Sequence, residues 1–261
     1  ITNSTVFALI VTCVILLFAR SATSRVDLIP ERRQNFFEAI IEGLYDMLEG
    51  IVGKHMIPKV FAMLATIFIF IACSNLFGLL PGVGTIGFTE SGRGPFLSAQ
   101  TIDTPLLRPA AADMNTTLAI AAVFMVFWLW WTVREIGAGG FILHLFAPKG
   151  GVKGALAVAL LPIFIFVGAI EIISIAFRPV SLSLRLYGNI YAGETLLITM
   201  GDLGEALQLP FLSFVMSVLL PLPFYFLEIL VSLLQALVFM LLCAVYISLS
   251  TSHEGEEAHD H

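Results

Sequence analysis

Charge is what this sequence has least of. Only 12% of its 261 residues are Asp, Glu, Lys or Arg, against about 25% in ordinary soluble domains, which excludes a soluble globular protein. Basic residues are not in excess: 13 Lys and Arg face 19 Asp and Glu, which is not the signature of a nucleic-acid binder. With 58% hydrophobic residues and a mean hydropathy of +0.96, the chain is not disordered either. Cysteine is nearly absent. Cys13, Cys73 and Cys243 each lie in an apolar run without C-x-x-C spacing, so they read as buried thiols, with neither disulfide nor metal expected. Also missing are G-x-x-x-x-G-K-[ST], H-E-x-x-H and G-x-S-x-G, so the chain carries no catalytic site for nucleotide chemistry and implies no cofactor. Polar sequence comes only in short stretches, too little for an extramembrane domain.

Long apolar runs are what remains. A bilayer core about 30 Å thick takes roughly 20 residues of upright helix. The runs predict an all-α polytopic membrane protein, a single membrane domain over 1–261. It has a span over 1–20, an interfacial amphipathic helix over 34–54, a span over 57–80 and an external loop over 81–113. A third span over 114–133 follows, then a hairpin of two long, strongly tilted helices over 152–200 and 210–251, and an acidic tail over 252–261. The first run has no basic start and no A-x-A site, so it is a span and not a signal peptide. Arg20, Arg25, Arg32 and Arg33 follow it; Lys54, Lys59, Arg134, Lys149 and Lys153 flank the next two spans. Keeping these cations cytoplasmic puts the N-terminus outside and the C-terminus inside. Turn-formers in PGVGTIG, SGRGP and TPLLRP mark the external loop and leave room for a short hairpin. The tail, HEGEEAHDH, reads as a solvated terminus rather than a metal site.

Two segments break the simple pattern. From Phe36 to Val52, Phe37, Ile40, Ile41, Leu44, Leu48 and Ile51 recur at helical spacing opposite Glu38, Glu42, Asp46 and Glu49, an amphipathic helix. Interfacial helices that bind lipid are usually basic, so this acidic face suits a partner subunit better. The last two apolar runs are about twice as long as an upright span. Pro162 and Pro179 could break the first, and Pro221 and Pro223 the second. No polar loop accompanies them, and an irregular turn exposed to lipid is forbidden, so tilted, kinked helices covered on one side by another protein are expected.

Five ionisable residues lie in that hairpin, where a charge at the bilayer centre costs about 3 kcal/mol. Arg178, beside Pro179, could snorkel or pair. Arg185, within LSLRLYGN, has leucines on both sides and a guanidinium that stays protonated. Glu171, Arg178 and Arg185 are seven apart and Asn189 is four further, so one polar stripe is expected, with Glu194 on the opposite side. Glu228 and Gln235 share a face of the second helix. Desolvation penalises a charged carboxyl and suits it to exchange protons near neutral pH, so two carboxyls separated by one arginine read as a proton relay with a barrier in it.

These residues carry a family resemblance. RPVSLSLRLYGNIYAGETLL and LEILVSLLQALVFMLLCAVYISL, with SNLFGLLPG, ADMNTTLA, IGAGGF and LPIFIFVGAIEIIS upstream, closely resemble the membrane-embedded a subunit of F-type ATP synthases over nearly the whole chain. The resemblance implies a stator in a bacterial plasma (inner) membrane rather than a mitochondrial one. Its partners would be a rotating c-subunit ring, b-type subunits of a peripheral stalk and membrane lipid, with no nucleic acid. Two offset half-channels would load and unload a ring carboxylate. Arg185 matches the essential family arginine that separates them; Asn189 and Gln235 match polar residues near it. Glu194 and Glu228 match the external-side relay, Glu171 and Ser181 positions linked to the internal half-channel, and Asn75 a channel-lining position. Many bacterial relatives have a Glu/His pair where this chain has Glu194 and Glu228, and two close carboxyls share a proton in coupled steps. Gly78 replaces an aspartate of some relatives. The alternative is an ion-coupled secondary transporter or channel, which should enclose its site in its own bundle; this chain has too few spans for that and no matching halves.

Overall fold

The computed structural model describes residues 3–23, 32–80, 83, 87–88, 104–105, 108–146, 155–205 and 210–251. The tail over 252–261, most of the 81–113 loop and the cations Arg25, Lys149 and Lys153 lie outside the described residues. Within them run seven helices: α1 (Asn3–Thr23), α2 (Arg32–Val52), α3 (Ile57–Gly78), α4 (Met114–Phe146), α5 (Ala155–Glu205), α6 (Pro210–Leu219) and α7 (Pro221–Thr251). A short antiparallel pairing of Gly87–Phe88 with Thr104–Pro105 and a 3-10 turn at Ala110–Ala112 fall in the segment between α3 and α4. Five stretches are long and apolar enough to cross a membrane: Asn3–Ser21, Ile57–Gly78, Met114–Gly137, Pro162–Leu203 and Val215–Ser250. The fold is an all-α polytopic membrane protein.

The pattern of each helix explains its place. Among the described residues of α1 only Ser4, Phe7 and Val11 are buried, while Leu9, Ile10, Leu16 and Leu17 stand exposed, as lipid contact demands. Cys13 is on the exposed side, which corrects the expectation of three buried thiols: α1 buries too narrow a stripe to cover it. Helix α2 turns Leu44, Leu48 and Val52 into the core and leaves Glu38, Glu42 and Asp46 exposed. It ends at Gly53, whose φ of +84° closes the turn into α3.

Two of the expected helices differ from the sequence expectation, the third span and the run over 210–251. The third span does not stop at 133: α4 continues to Phe146, bent at Gly137 with φ 78° and ψ 156°, a region open essentially to glycine alone. Beyond the bend Phe141 meets Trp128 edge-on at 6.4 Å. Helix α5 runs unbroken for 51 residues with Pro162 and Pro179 inside it, a length of roughly 76 Å. The run over 210–251 is two helices rather than one, divided at Leu220, because Pro221 offers no N–H and its ring clashes with the preceding turn. The proline then serves as the first residue of α7, where no N–H is needed.

Helices α5 and α7 pack antiparallel, with α4 along α5 and α3 along α7. Leu64 and Ile71 of α3, Phe124 and Trp128 of α4, Leu182 and Leu186 of α5, and Phe239, Met240 and Ile247 of α7 make one core. Polar ties close both ends. At one, Lys59 donates to Glu135, Trp128 Nε1 to the Tyr246 carbonyl at 3.0 Å and Thr132 Oγ1 to Ser250 Oγ at 3.3 Å. At the other, Tyr225 OH donates to the Leu79 carbonyl at 2.7 Å.

Candidate functional site

The site is laid out along the antiparallel contact of α5 and α7. Deepest toward the Trp128 end is Arg178, its Cζ 4.7 Å above the Tyr246 ring and 5.4 Å from the centre of Trp128, within the reach of cation–π attraction. This cage holds Arg178 within the bundle, where Glu171 of the same helix also acts on it electrostatically. Glu171 is half-buried two turns earlier on α5.

Arg185 lies between Arg178 and Asn189 and faces outward, next to exposed Leu184 and Tyr191. Among the described residues it makes no ion pair. Ser181, Gly188 and Ala192, at four, three and seven residues from it, share its exposed face. A Cβ added at Gly188 would meet nothing within 4 Å among the described residues. The surface around the arginine is therefore open and built from small residues.

Toward the Tyr225 end the polar groups turn inward. Asn189 Nδ2 donates to Gln235 Oε1 at 2.7 Å. Asn75, on α3, donates from Nδ2 to the Ser232 carbonyl at 3.4 Å. Ser74, Asn75, Ser232, Gln235 and Glu228 are all buried, at 5% exposure or less. Four of these retain a buried polar atom without a hydrogen-bond partner: Ser74 Oγ, Asn75 Oδ1, Ser232 Oγ and Gln235 Nε2. A crevice lined by Phe70, Ser74, Asn75, Ala111 and Leu186 runs beside them.

One step further, Glu228 sets its carboxyl against the backbone of Gly193, where any Cβ would collide with it. Glu194 is the next residue, half-buried, with Oε2 3.9 Å from Arg108 Nη2. The structure thus brings together Asn189, Gln235, Asn75, Glu228 and the residue beside Glu194, and keeps Arg185 and Ser181 on the outer face and Glu171 toward the far end of α5. Sequence reasoning missed Ser232, although it shares a helical phase with Glu228 and Gln235. It also missed Ser74, beside Asn75, and Gly193. Arg108 was passed over inside TPLLRP as part of a turn.

Fold and site define a polytopic membrane protein that handles charge within the bilayer, along its longest helix pair. Residues 3–248 match the model of the family described as ATP synthase A chain. An ATP synthase subunit a of Protochlamydia amoebophila is 32% identical over 255 residues, 97% of this chain and 81% of that relative. One of Citrifermentans bemidjiense is 34% identical over 233 residues, covering 89% and 80%. The ATP synthase subunit a 1 of Pelobacter propionicus is 32% identical over 257 residues, covering 98% and 89%. The chain belongs to the ATP synthase A chain family.

Proposed function

We propose that the chain translocates protons across the membrane as the a subunit of an F-type ATP synthase, acting as a stator beside a rotating ring of c subunits. Arg185 carries this reading: it is exposed on an apolar helix and has no ion pair among the described residues. A protonated guanidinium facing lipid is expensive, so its counter-charge belongs to another chain. Small residues beside it let a second helix approach closely. A ring helix bearing a carboxylate meets both requirements.

Arg185 then favours the ionised carboxylate as it passes and repels any proton that would cross directly. It divides an external half-channel from an internal one. On the external side Glu194 and Glu228 hand protons on, and Asn75, Asn189 and Gln235, with Ser74 and Ser232, line the route. Buried polar atoms without protein partners are normally served by water, which supports a hydrated path there. Ser181 and Glu171 belong to the internal half-channel. The N-terminus is outside and the C-terminus cytoplasmic, in a bacterial plasma membrane; the acidic face of α2 meets b-type stalk subunits and α1 meets lipid.

The test is Arg185→Ala in membranes carrying the full complex. Proton-driven ATP synthesis is expected to vanish while the complex still assembles. Synthesis at the unmodified rate would overturn the reading.

A further inference from the structure

The segment leading into α4 is held with more care than a connecting loop requires. Ala110, Ala111 and Ala112 are buried at 1%, 5% and 3% exposure, and their 3-10 turn wedges among α1, α3, α4 and α5. Just before the wedge, Pro109 lies against Gly78 at the end of α3. A Cβ at residue 78 would come within 2.7 Å of Pro109 Cγ and 2.8 Å of Cβ, so this approach exists only because residue 78 is glycine. The end of α3 is itself tied down by Tyr225, which donates to Leu79. The backbone at residue 109 is therefore fixed by both α3 and the alanine wedge.

Arg108 projects from that fixed point, with its guanidinium 3.9 Å from Glu194. The carboxylate oxygen it approaches, Oε2, is shielded from solvent and has no hydrogen bond. Among the described residues no other cation comes within ion-pair distance of Glu194. Glu194 otherwise sits on a half-open helix face between exposed Thr195 and buried Gly193, where a carboxylate has several rotamers to choose from. A cation anchored at its backbone on one side favours the rotamers that keep the carboxylate near it.

We infer that Arg108 is a positioning residue for Glu194: seated by the Gly78–Pro109 contact, it holds the carboxylate where protons enter or leave the α5–α7 contact. The inference rests on the reading of Glu194 as a relay group. Gly78 acquires a role of its own in this arrangement, as the space that lets Pro109 bring Arg108 within reach. A part-exposed pair of this kind adds little to folding, and the alanine wedge secures the segment without it. Loss of Arg108 is thus expected to change transport more than assembly.

The experiment measures ATP-driven proton pumping by the assembled complex in inverted vesicles, normalised to complex content. Arg108→Gln should lower pumping about tenfold, the order expected when a transfer group is misplaced, while Arg108→Lys keeps most of it. Gly78→Ala, which displaces Pro109 and leaves every charge in place, should reproduce the loss and serves as the second route should Arg108→Gln fail to assemble. In a Glu194→Gln background, Arg108→Gln should cost nothing further. Unchanged pumping in both Arg108→Gln and Gly78→Ala would overturn the inference. So would losses that multiply in the double variant, since Arg108 would then act elsewhere. Unchanged pumping in Glu194→Gln alone would instead remove the relay reading, and this inference with it.

Discussion

Asn189 and Gln235 face each other across α5 and α7, the amide Nδ2 of one 2.7 Å from the Oε1 of the other. The pair sits one helical turn past Arg185, and the donor group of the Gln235 amide, Nε2, has no partner among the described residues. This is where the two long helices exchange a side-chain hydrogen bond near the arginine.

Replacing Gln235 with Leu leaves Asn189 unpaired beside the core, so it should cost about 1–3 kcal/mol and also reduce proton pumping. The double replacement Asn189→Leu with Gln235→Leu should recover much of the stability, because no orphaned amide remains, yet not the pumping. Thermal inactivation of the detergent-solubilised complex reads the first effect and vesicle acidification the second.

Gly193→Ala is the smallest change that should disable the relay by shape alone. Its Cβ would occupy the place of the Glu228 carboxyl, forcing Glu228 out of the α5–α7 contact. Pumping should fall at least tenfold, as expected of a displaced proton-transfer group. Combining Gly193→Ala with Glu228→Ala should relieve the collision and restore assembly without restoring pumping, which separates sterics from proton transfer.

Trp128 serves two contacts at once, a ring beneath Arg178 and a donor to Tyr246. Trp128→Leu should lower stability by about 2–4 kcal/mol through the lost packing and cation–π contact. Trp128→Phe keeps a ring but not the donor, and should lose about 1 kcal/mol. Melting of the purified complex, followed by intrinsic fluorescence of the remaining tryptophans, checks the order.

Gly188→Phe tests the open face. Among the described residues nothing lies within 4 Å of a Cβ placed there and the face is exposed, so the variant should fold and insert normally. A ring that comes close to Arg185 would be held off by the new side chain, and ATP synthesis should be lost. Normal synthesis would show that no partner approaches this surface.

Much of this architecture was legible because hydrocarbon leaves a chain few options. The 3.6-residue spacing of Leu44, Leu48 and Val52 was enough to expose α2, and the length of the last two apolar runs betrayed the long antiparallel pair. Local breaks were harder to read. The four prolines expected as possible breaks looked equivalent in sequence, yet of these only Pro221 ends up as the first residue of a helix, while Pro162 and Pro179 stay inside α5. What distinguishes them is packing by neighbouring helices, which no local pattern records. The continuation of α4 past residue 133 hid behind Arg134 and Glu135, which look like span-end charges; Glu135 instead pairs with Lys59 and His55 across helices. Arg178 and Arg185 are seven residues apart and share a phase, but one is caged by aromatic rings from α4 and α7 and the other is bare. That difference is tertiary, as is the meeting of Arg108 with Glu194, 86 positions later in the chain.

The aromatic cage at Arg178 and the amide pair at Asn189 have a mechanical meaning. In the proposed function, the electrostatic pull between Arg185 and a moving charge acts equally on both bodies, so the arginine would transmit a sideways load whenever the other charge is dragged past. Two turns below it, α5 is braced against α4 and α7 by Arg178 on Trp128 and Tyr246; one turn above, against α7 by Asn189 on Gln235. Arg185 is thus a post braced on both sides, and in the proposed function the recoil of each step would be spread into the bundle instead of bending the helix that bears it.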